Sequence, residues 1–189
     1  RMMTMDFGEA KHRLHIRADV PMQFYALLFV PSTAEPNMFS PRKEPGLKLY
    51  ARKVMIQEYS KELLPEYLQF MQGVVDSEDL PLNVSRESVQ ANRIMANLRK
   101  TLTNRVLSEF RRMAKNKTED YLDIYAEFGR FIKQGLLVAP QDRDDLMPLF
   151  FFNSSHDDDR DSYHSLDDYV DRMVDGQEDI YYVVADDFS

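Results

Sequence analysis

From about residue 85 to residue 115 no proline or glycine interrupts the chain. Over the same stretch Val89, Ile94, Leu98, Leu102, Val106, Phe110 and Met113 recur three to five positions apart. That spacing draws one apolar stripe along one long helix, and Asn83 or Ser85 can cap its first amides. A helix with a single stripe has to bury it against another layer, so the residues before it decide the fold class.

Those residues read as a sheet. Residues 14–17 alternate apolar and polar. Residues 24–30 are continuously apolar and aromatic, which suits a strand buried on both faces. Residues 31–45 hold four prolines and read as a long loop; within it Met38 and Phe39 are apolar with no evident place in a core. Residues 47–57 form a second strand region, residues 61–64 a helical turn stopped by Pro65, and residues 66–75 a return to the sheet. Residues 76–81 are a polar loop. After the long helix a second one is predicted over residues 119–133, with Tyr121, Tyr125, Phe128 and Ile132 on one side and Gly135 as its C-terminal stop. Shorter helices fit residues 143–151 and 166–174. Residues 179–185 read as a strand that opens something new. Sheet first and helices after makes the chain α/β or α+β.

Composition narrows the chemistry. The absence of cysteine excludes disulfides, thiolate catalysis and cysteine zinc sites, and agrees with a reducing compartment. No apolar run approaches the roughly 18 residues of a membrane span. The chain begins at Arg1 without a basic-then-apolar leader, so it reads as an excised piece. The net charge of −8 is unevenly spread. Arg93, Arg99, Lys100, Arg105, Arg111, Arg112, Lys115 and Lys117 crowd the long helix, and aspartates dominate after Pro140. Such blocks steer charged partners but do not set a fold.

The stretch Gly73-Val74-Val75-Asp76-Ser77-Glu78-Asp79-Leu80-Pro81-Leu82-Asn83-Val84-Ser85-Arg86-Glu87 carries the chemistry. Pro81 stiffens a loop that delivers Asn83, Ser85 and Arg86 to the start of the long helix. Helix N-termini favour anions, Arg86 adds a planar fork suited to phosphate oxygens, and Gln90 lies one turn further on the same face. Asn83, Arg86 and Gln90 can therefore converge on one anionic group. The alternative is that Arg86 pairs with Glu78 or Asp79 and only ties the loop to the helix.

This stretch resembles the signature of the heat-shock protein 90 chaperone family middle domain. Leu27-Leu28-Phe29-Val30-Pro31, Leu47-Lys48-Leu49-Tyr50-Ala51-Arg52-Lys53-Val54, Leu64-Pro65-Glu66-Tyr67-Leu68-Gln69-Phe70, Ser165-Leu166-Asp167-Asp168-Tyr169-Val170-Asp171-Arg172-Met173 and Ile180-Tyr181-Tyr182-Val183 resemble the family in the same order. The likeness leans to the bacterial high-temperature protein G and mitochondrial branches. It implies a layered αβα middle subdomain with a mixed sheet over residues 1–116, a helical connector over 117–175, and the first strand of a truncated small α/β unit over 176–189. It implies a cytoplasmic, or alternatively mitochondrial-matrix, homodimeric ATPase of protein folding and the stress response, which binds unfolded clients and uses ATP and Mg2+. Its nucleotide domain and C-terminal dimerisation domain would lie outside this chain. By motif, Arg86 is the γ-phosphate contact and Asn83 and Gln90 its supports, and Met38 and Phe39 fall in a client-binding loop. The chain shows no magnesium-binding Asn helix, general-base Glu context or glycine-rich lid, so alone it is expected to hold no cofactor and to be inactive. Two departures stand out: Ser88-Val89 replaces bulkier residues, and Pro148-Leu149-Phe150-Phe151-Phe152 replaces a more basic helix.

Other readings carry less. Asp157, Asp159, Asp161 and Asp168 fall at calcium-loop spacing, but Ser162 sits where the turn needs glycine. His156 and His164 lack a third committed metal ligand. The basic helix lacks interleaved aromatic residues for nucleic-acid stacking, so neither nucleic acid nor membrane is an expected partner. A non-catalytic protein-interaction scaffold is the alternative function. A stand-alone phosphate enzyme is disfavoured, because no nucleophile or base stands beside Arg86.

Overall fold

The computed structural model describes residues 8–20, 22–34, 46–82, 89–157 and 162–184. Strands β1 (His12–Ala18), β2 (Phe24–Val30), β3 (Leu47–Ala51), β4 (Val54–Ser60) and β5 (Gln72–Ser77) form one sheet in the order β1-β2-β5-β3-β4. All neighbours are antiparallel except β3 and β5, so the sheet is mixed. Period-two alternation puts Leu14, Ile16, Phe24, Ala26, Leu28, Val30, Leu47, Leu49, Ala51 and Val75 on one buried face. Each fully buried Phe or Leu contributes about 1.5–3 kcal/mol relative to exposure.

Three strand expectations are corrected. β2 is buried on one face only: Tyr25 and Phe29 are half-buried and Leu27 is 39% exposed. An apolar run cannot by itself say whether a second layer covers its alternate residues. Residues 47–57 are not one strand but two, joined at Arg52 and Lys53, whose φ values of 50° and 67° are left-handed. Such a pair matches the twist of a tight hairpin, yet the sequence lacks the usual Asn-Gly signal. The neighbouring strand supplies the support instead: Arg52 N–H donates to the Ser77 carbonyl (3.2 Å) and Lys53 N–H to Asp76 Oδ1 (3.1 Å). Finally, Glu66–Leu68 is a short 3-10 turn and the returning strand runs on through Asp76 and Ser77, because β5 pairs with both β2 and β3.

Helix α1 (Val89–Asn116) buries Ala91, Met95, Leu98, Leu102, Val106, Phe110 and Met113, a stripe of threes and fours. Helix α2 (Thr118–Val138) buries Tyr121, Tyr125, Phe128 and Ile132, as expected, and also Ile124. Its phenols are satisfied inside the core: Tyr121 donates to the Leu149 carbonyl (2.7 Å) and Tyr125 to that of Phe151 (2.9 Å). Burial pushes the Tyr125 hydroxyl up to about 12. Phe70 stacks on Phe128 at 4.4 Å between centroids, so one core runs from the sheet through both helices.

Gly135 does not stop α2. It lies buried within the helix, which continues to Val138. A Cβ there would come within 2.8 Å of Leu146 and 3.0 Å of Tyr67. The glycine is a contact point for neighbouring elements, a role that local pattern does not reveal. After a 3-10 turn Pro140–Asp142, the helix predicted over 143–151 breaks into helix α3 (Arg143–Leu146), a second 3-10 turn Met147–Leu149 and strand β6 (Phe151–Phe152). Pro148 cannot continue an α-helix from its interior. β6 pairs with β7 (His164–Ser165) in a small second sheet, and α4 (Leu166–Asp171) follows, shorter than predicted. Residues 180–184 join no strand among the described residues, and Tyr181 to Val184 are at least 75% exposed. The architecture is the expected layered α/β arrangement: a mixed sheet packed by helices, then a small second sheet.

Candidate functional site

β5 hands the chain to α1 through the motif stretch. Leu80 is fully buried, Leu82 is 51% exposed, and the next described residues are in α1, where Ala91 is buried and Gln90 exposed. Asn83, Ser85 and Arg86 lie between these two anchor points, outside the described residues. Among the described residues the first turn of α1, from Val89, carries no carboxylate.

The root of this loop is tied on two sides. On one side Gln23 donates its N–H to Asp79 Oδ2 (2.7 Å), and its carbonyl accepts from Glu78 N–H (3.1 Å) and Ser77 Oγ (3.4 Å). On the other side Arg52 Nε donates to the Glu78 carbonyl (3.0 Å). One oxygen of Asp79 is thus already engaged by the backbone. Gln23 and Arg52 were not legible as site residues, since their contacts lie 56 and 26 positions away.

Met38 and Phe39 also lie outside the described residues. The entry to their loop is fixed at Ala34, whose N–H donates to Glu127 Oε1 (2.6 Å) on α2.

A cleft of about 400 Å³ opens between the edge strand β1 and α1, lined by Arg13, Arg17, Arg105 and Arg112 with Glu109 among them. Arg112 grips Glu109 through Nε (2.8 Å) and Nη2 (2.6 Å), and His12 Nε2 meets the same carboxylate at 2.8 Å. Among the described residues no Phe or Tyr lines the cleft and His15 is its one ring, so it offers guanidinium groups for anions more than a platform for stacked bases. The Arg112 hydrogen bonds, aided by His12, hold the Glu109 carboxyl below its ordinary range. A depressed folded-state value means stability that is present above the unfolded glutamate pKa and lost as pH falls through the folded one. Glu109→Gln is therefore expected to lower the urea midpoint at pH 7. The gap to the parent should narrow steadily below the ordinary glutamate range. A gap independent of pH would remove the ion-pair explanation.

The acidic segment is not a calcium loop as far as it is described. Asp168 closes a capping box: its carboxylate accepts from Ser165 N–H (2.8 Å) and its N–H donates to Ser165 Oγ (3.1 Å). Asp157 accepts from Ser162 Oγ (2.8 Å) and contacts His164 Nε2 (2.6 Å). Arg172 Nη1 stands 3.0 Å from His164 Nδ1; an arginine only donates, so that nitrogen accepts and Nε2–H faces Asp157. Asp157 and Ser162 share one imidazole nitrogen, which is not a nucleophile–base–orienter relay. Asp159 and Asp161 lie outside the described residues, and His156 donates its backbone N–H to Ser154 Oγ. Among the described residues no group of three or more His, Asp or Glu is set to hold a metal ion.

Comparison with known proteins agrees along the whole chain. A family model described as Hsp90 protein matches residues 1–189. The chain is 40% identical over 184 residues to the chaperone protein HtpG of Halorhodospira halophila, covering 97% of this chain and 29% of that protein. It is 42% identical over 183 residues to the HtpG of Nitratidesulfovibrio vulgaris, covering 97% and 29%. With the HtpG of Ruthia magnifica it shares 38% over 189 residues, covering 100% and 31%. It spans about three tenths of the length of these relatives. A motif-bearing loop strung between a mixed sheet and a long helix, matched by the family model from the first residue to the last, has one consistent assignment: the chain belongs to the Hsp90 family.

Proposed function

We propose that the chain is the middle segment of an ATP-dependent chaperone. In this reading Arg86 contacts the γ-phosphate of an ATP held by a nucleotide domain outside the chain, with Asn83 and Gln90 in support. What supports it is the chain on either side of the motif: Leu82 before it is 51% exposed and Gln90 after it is exposed. A segment entered and left at the surface suits docking by another domain. Arg86 would stabilise charge that develops on the transferred phosphoryl group. ATP is the substrate and Mg2+ comes with it; the described residues supply no metal cluster of their own. Turnover then waits on a domain closure, and the nucleotide domain, the C-terminal dimerisation domain and the client proteins are the partners. A cytoplasmic setting fits the bacterial relatives. The test is ATP turnover of the full-length protein with and without Arg86→Ala; unchanged turnover with intact folding eliminates the catalytic role.

Client contact is assigned to Met38 and Phe39. Paired Met38→Ser and Phe39→Ser changes in the full-length protein should weaken binding of a permanently unfolded polypeptide at least about threefold, the scale of losing one exposed apolar contact. Binding equal to the parent would take the loop out of client recognition.

The cationic cleft between β1 and α1 favours a second reading, a protein-interaction scaffold without catalytic contribution. Arg86→Ala separates the two, since a pure scaffold loses nothing in turnover.

A further inference from the structure

We infer that Arg52 and Asp79 are positioning residues for Arg86: they fasten the root of its loop to two turns, the β3–β4 turn that carries Arg52 and the turn before β2 whose Gln23 donates to Asp79. The inference rests on the proposed role of Arg86.

The clamp has more bonds than closing the turns requires. The β3–β4 turn is already tied to β5 by Arg52 N–H to the Ser77 carbonyl and Lys53 N–H to Asp76 Oδ1. The Arg52 side chain is not needed for that. It reaches instead to the Glu78 carbonyl, one residue past the end of β5. From the opposite side the Asp79 carboxylate takes the Gln23 N–H, and the Gln23 carbonyl takes the Glu78 N–H. Glu78 is thus held by both backbone groups, and Asp79 by its side chain, immediately before Leu80 enters the core. The direction in which the chain leaves toward Asn83 is set here.

Geometry makes that direction matter. Arg86 follows Glu78 by eight positions in the sequence, and a misplacement of about 1 Å at a group that meets the reacting atoms can cost about 10²-fold. Two clamping turns that carry no reacting group can therefore control turnover through Arg86 alone.

The experiment measures steady-state ATP turnover of the full-length protein with Arg52→Ala, Asp79→Ala and Asp79→Asn, each also combined with Arg86→Ala. Unfolding midpoints and ATP affinity are measured alongside. Arg52→Ala and Asp79→Ala should each lower kcat by about tenfold or more, with KM for ATP within about twofold of the parent. Asp79→Asn keeps an acceptor oxygen for Gln23 and should recover most of the loss. On the Arg86→Ala background neither change should lower kcat further, because the group they aim is gone. Arg52→Ala severs one side-chain bond at an exposed turn, so it reports even where Asp79→Ala fails to fold. Normal kcat in both single variants, with Arg86→Ala defective, overturns the clamp and leaves the role of Arg86 standing. Full additivity with Arg86→Ala overturns it too. If Arg86→Ala itself turns over normally, the role of Arg86 falls and the clamp with it.

Discussion

Arg86→Ala is expected to lower ATP turnover of the full-length chaperone by about a hundredfold or more, with little change in KM for ATP. An arginine delivered in trans to a transferring phosphoryl group is worth on the order of 10³–10⁵ in related chemistry. The expectation is set about tenfold below that range because the Mg2+ that accompanies ATP still offsets phosphate charge after truncation. The effect belongs in kcat because Arg86 is proposed to meet the phosphate only after closure, and a contact made only then stabilises the transition state more than the ground state. Arg86→Lys should recover only part of the rate: the ammonium keeps the charge but not the planar fork. A matching fall in affinity with kcat preserved would place Arg86 in ground-state binding instead.

The second large effect is on stability. Gly73→Ala is expected to destabilise the fold by about 3–5 kcal/mol, enough to unfold much of a protein whose whole margin is about 5–15 kcal/mol. Gly73 sits in β5 opposite Leu28 with φ of 146°, a region side chains rarely adopt. A Cβ there would lie 2.1 Å from the Leu27 carbonyl oxygen and 2.9 Å from the Leu28 Cα. Both are backbone atoms of a paired strand, so neither can move aside without breaking the β2–β5 ladder. Gly176 provides the contrast. Its φ of 86° is also left-handed, but nothing lies within 4 Å of a Cβ. Gly176→Ala should cost only about 1 kcal/mol, the conformational part alone. Urea unfolding of the two variants checks both numbers; equal losses would mean the clash at Gly73 is relieved by a shift of β5.

The candidate site was legible in part. The motif residues, the helix they lead into and the turn proline can be read from residue order alone, because a helix start and a stiff loop are local features. Gln90 stands exposed near the start of α1. The groups that tie the loop down were not legible. Gln23 and Arg52 are ordinary polar residues in sequence, and their importance comes from strands that bring them beside Glu78 and Asp79. The partners of the acidic segment were hidden for the same reason: its aspartates have calcium spacing, a reading the sequence already disfavoured, and Asp157 and Asp168 are committed to His164, Ser162 and Ser165.

The α1 stripe from Leu98 to Met113, the aromatic face of α2 and the strand character of residues 14–17 and 24–30 were determined by residue order, because periodicity within one element decides which side chains share a face. Family membership was carried there too, in a motif whose residues are contiguous. Only the tertiary structure decided that β5 lies between β2 and β3, that Arg52 and Lys53 turn left-handed, that Gly135 belongs inside α2 and that β2 is covered on one face. Each of these depends on which distant segment comes alongside, and a backbone conformation or a missing side chain that is costly alone becomes favourable once a neighbouring strand or ring occupies that place.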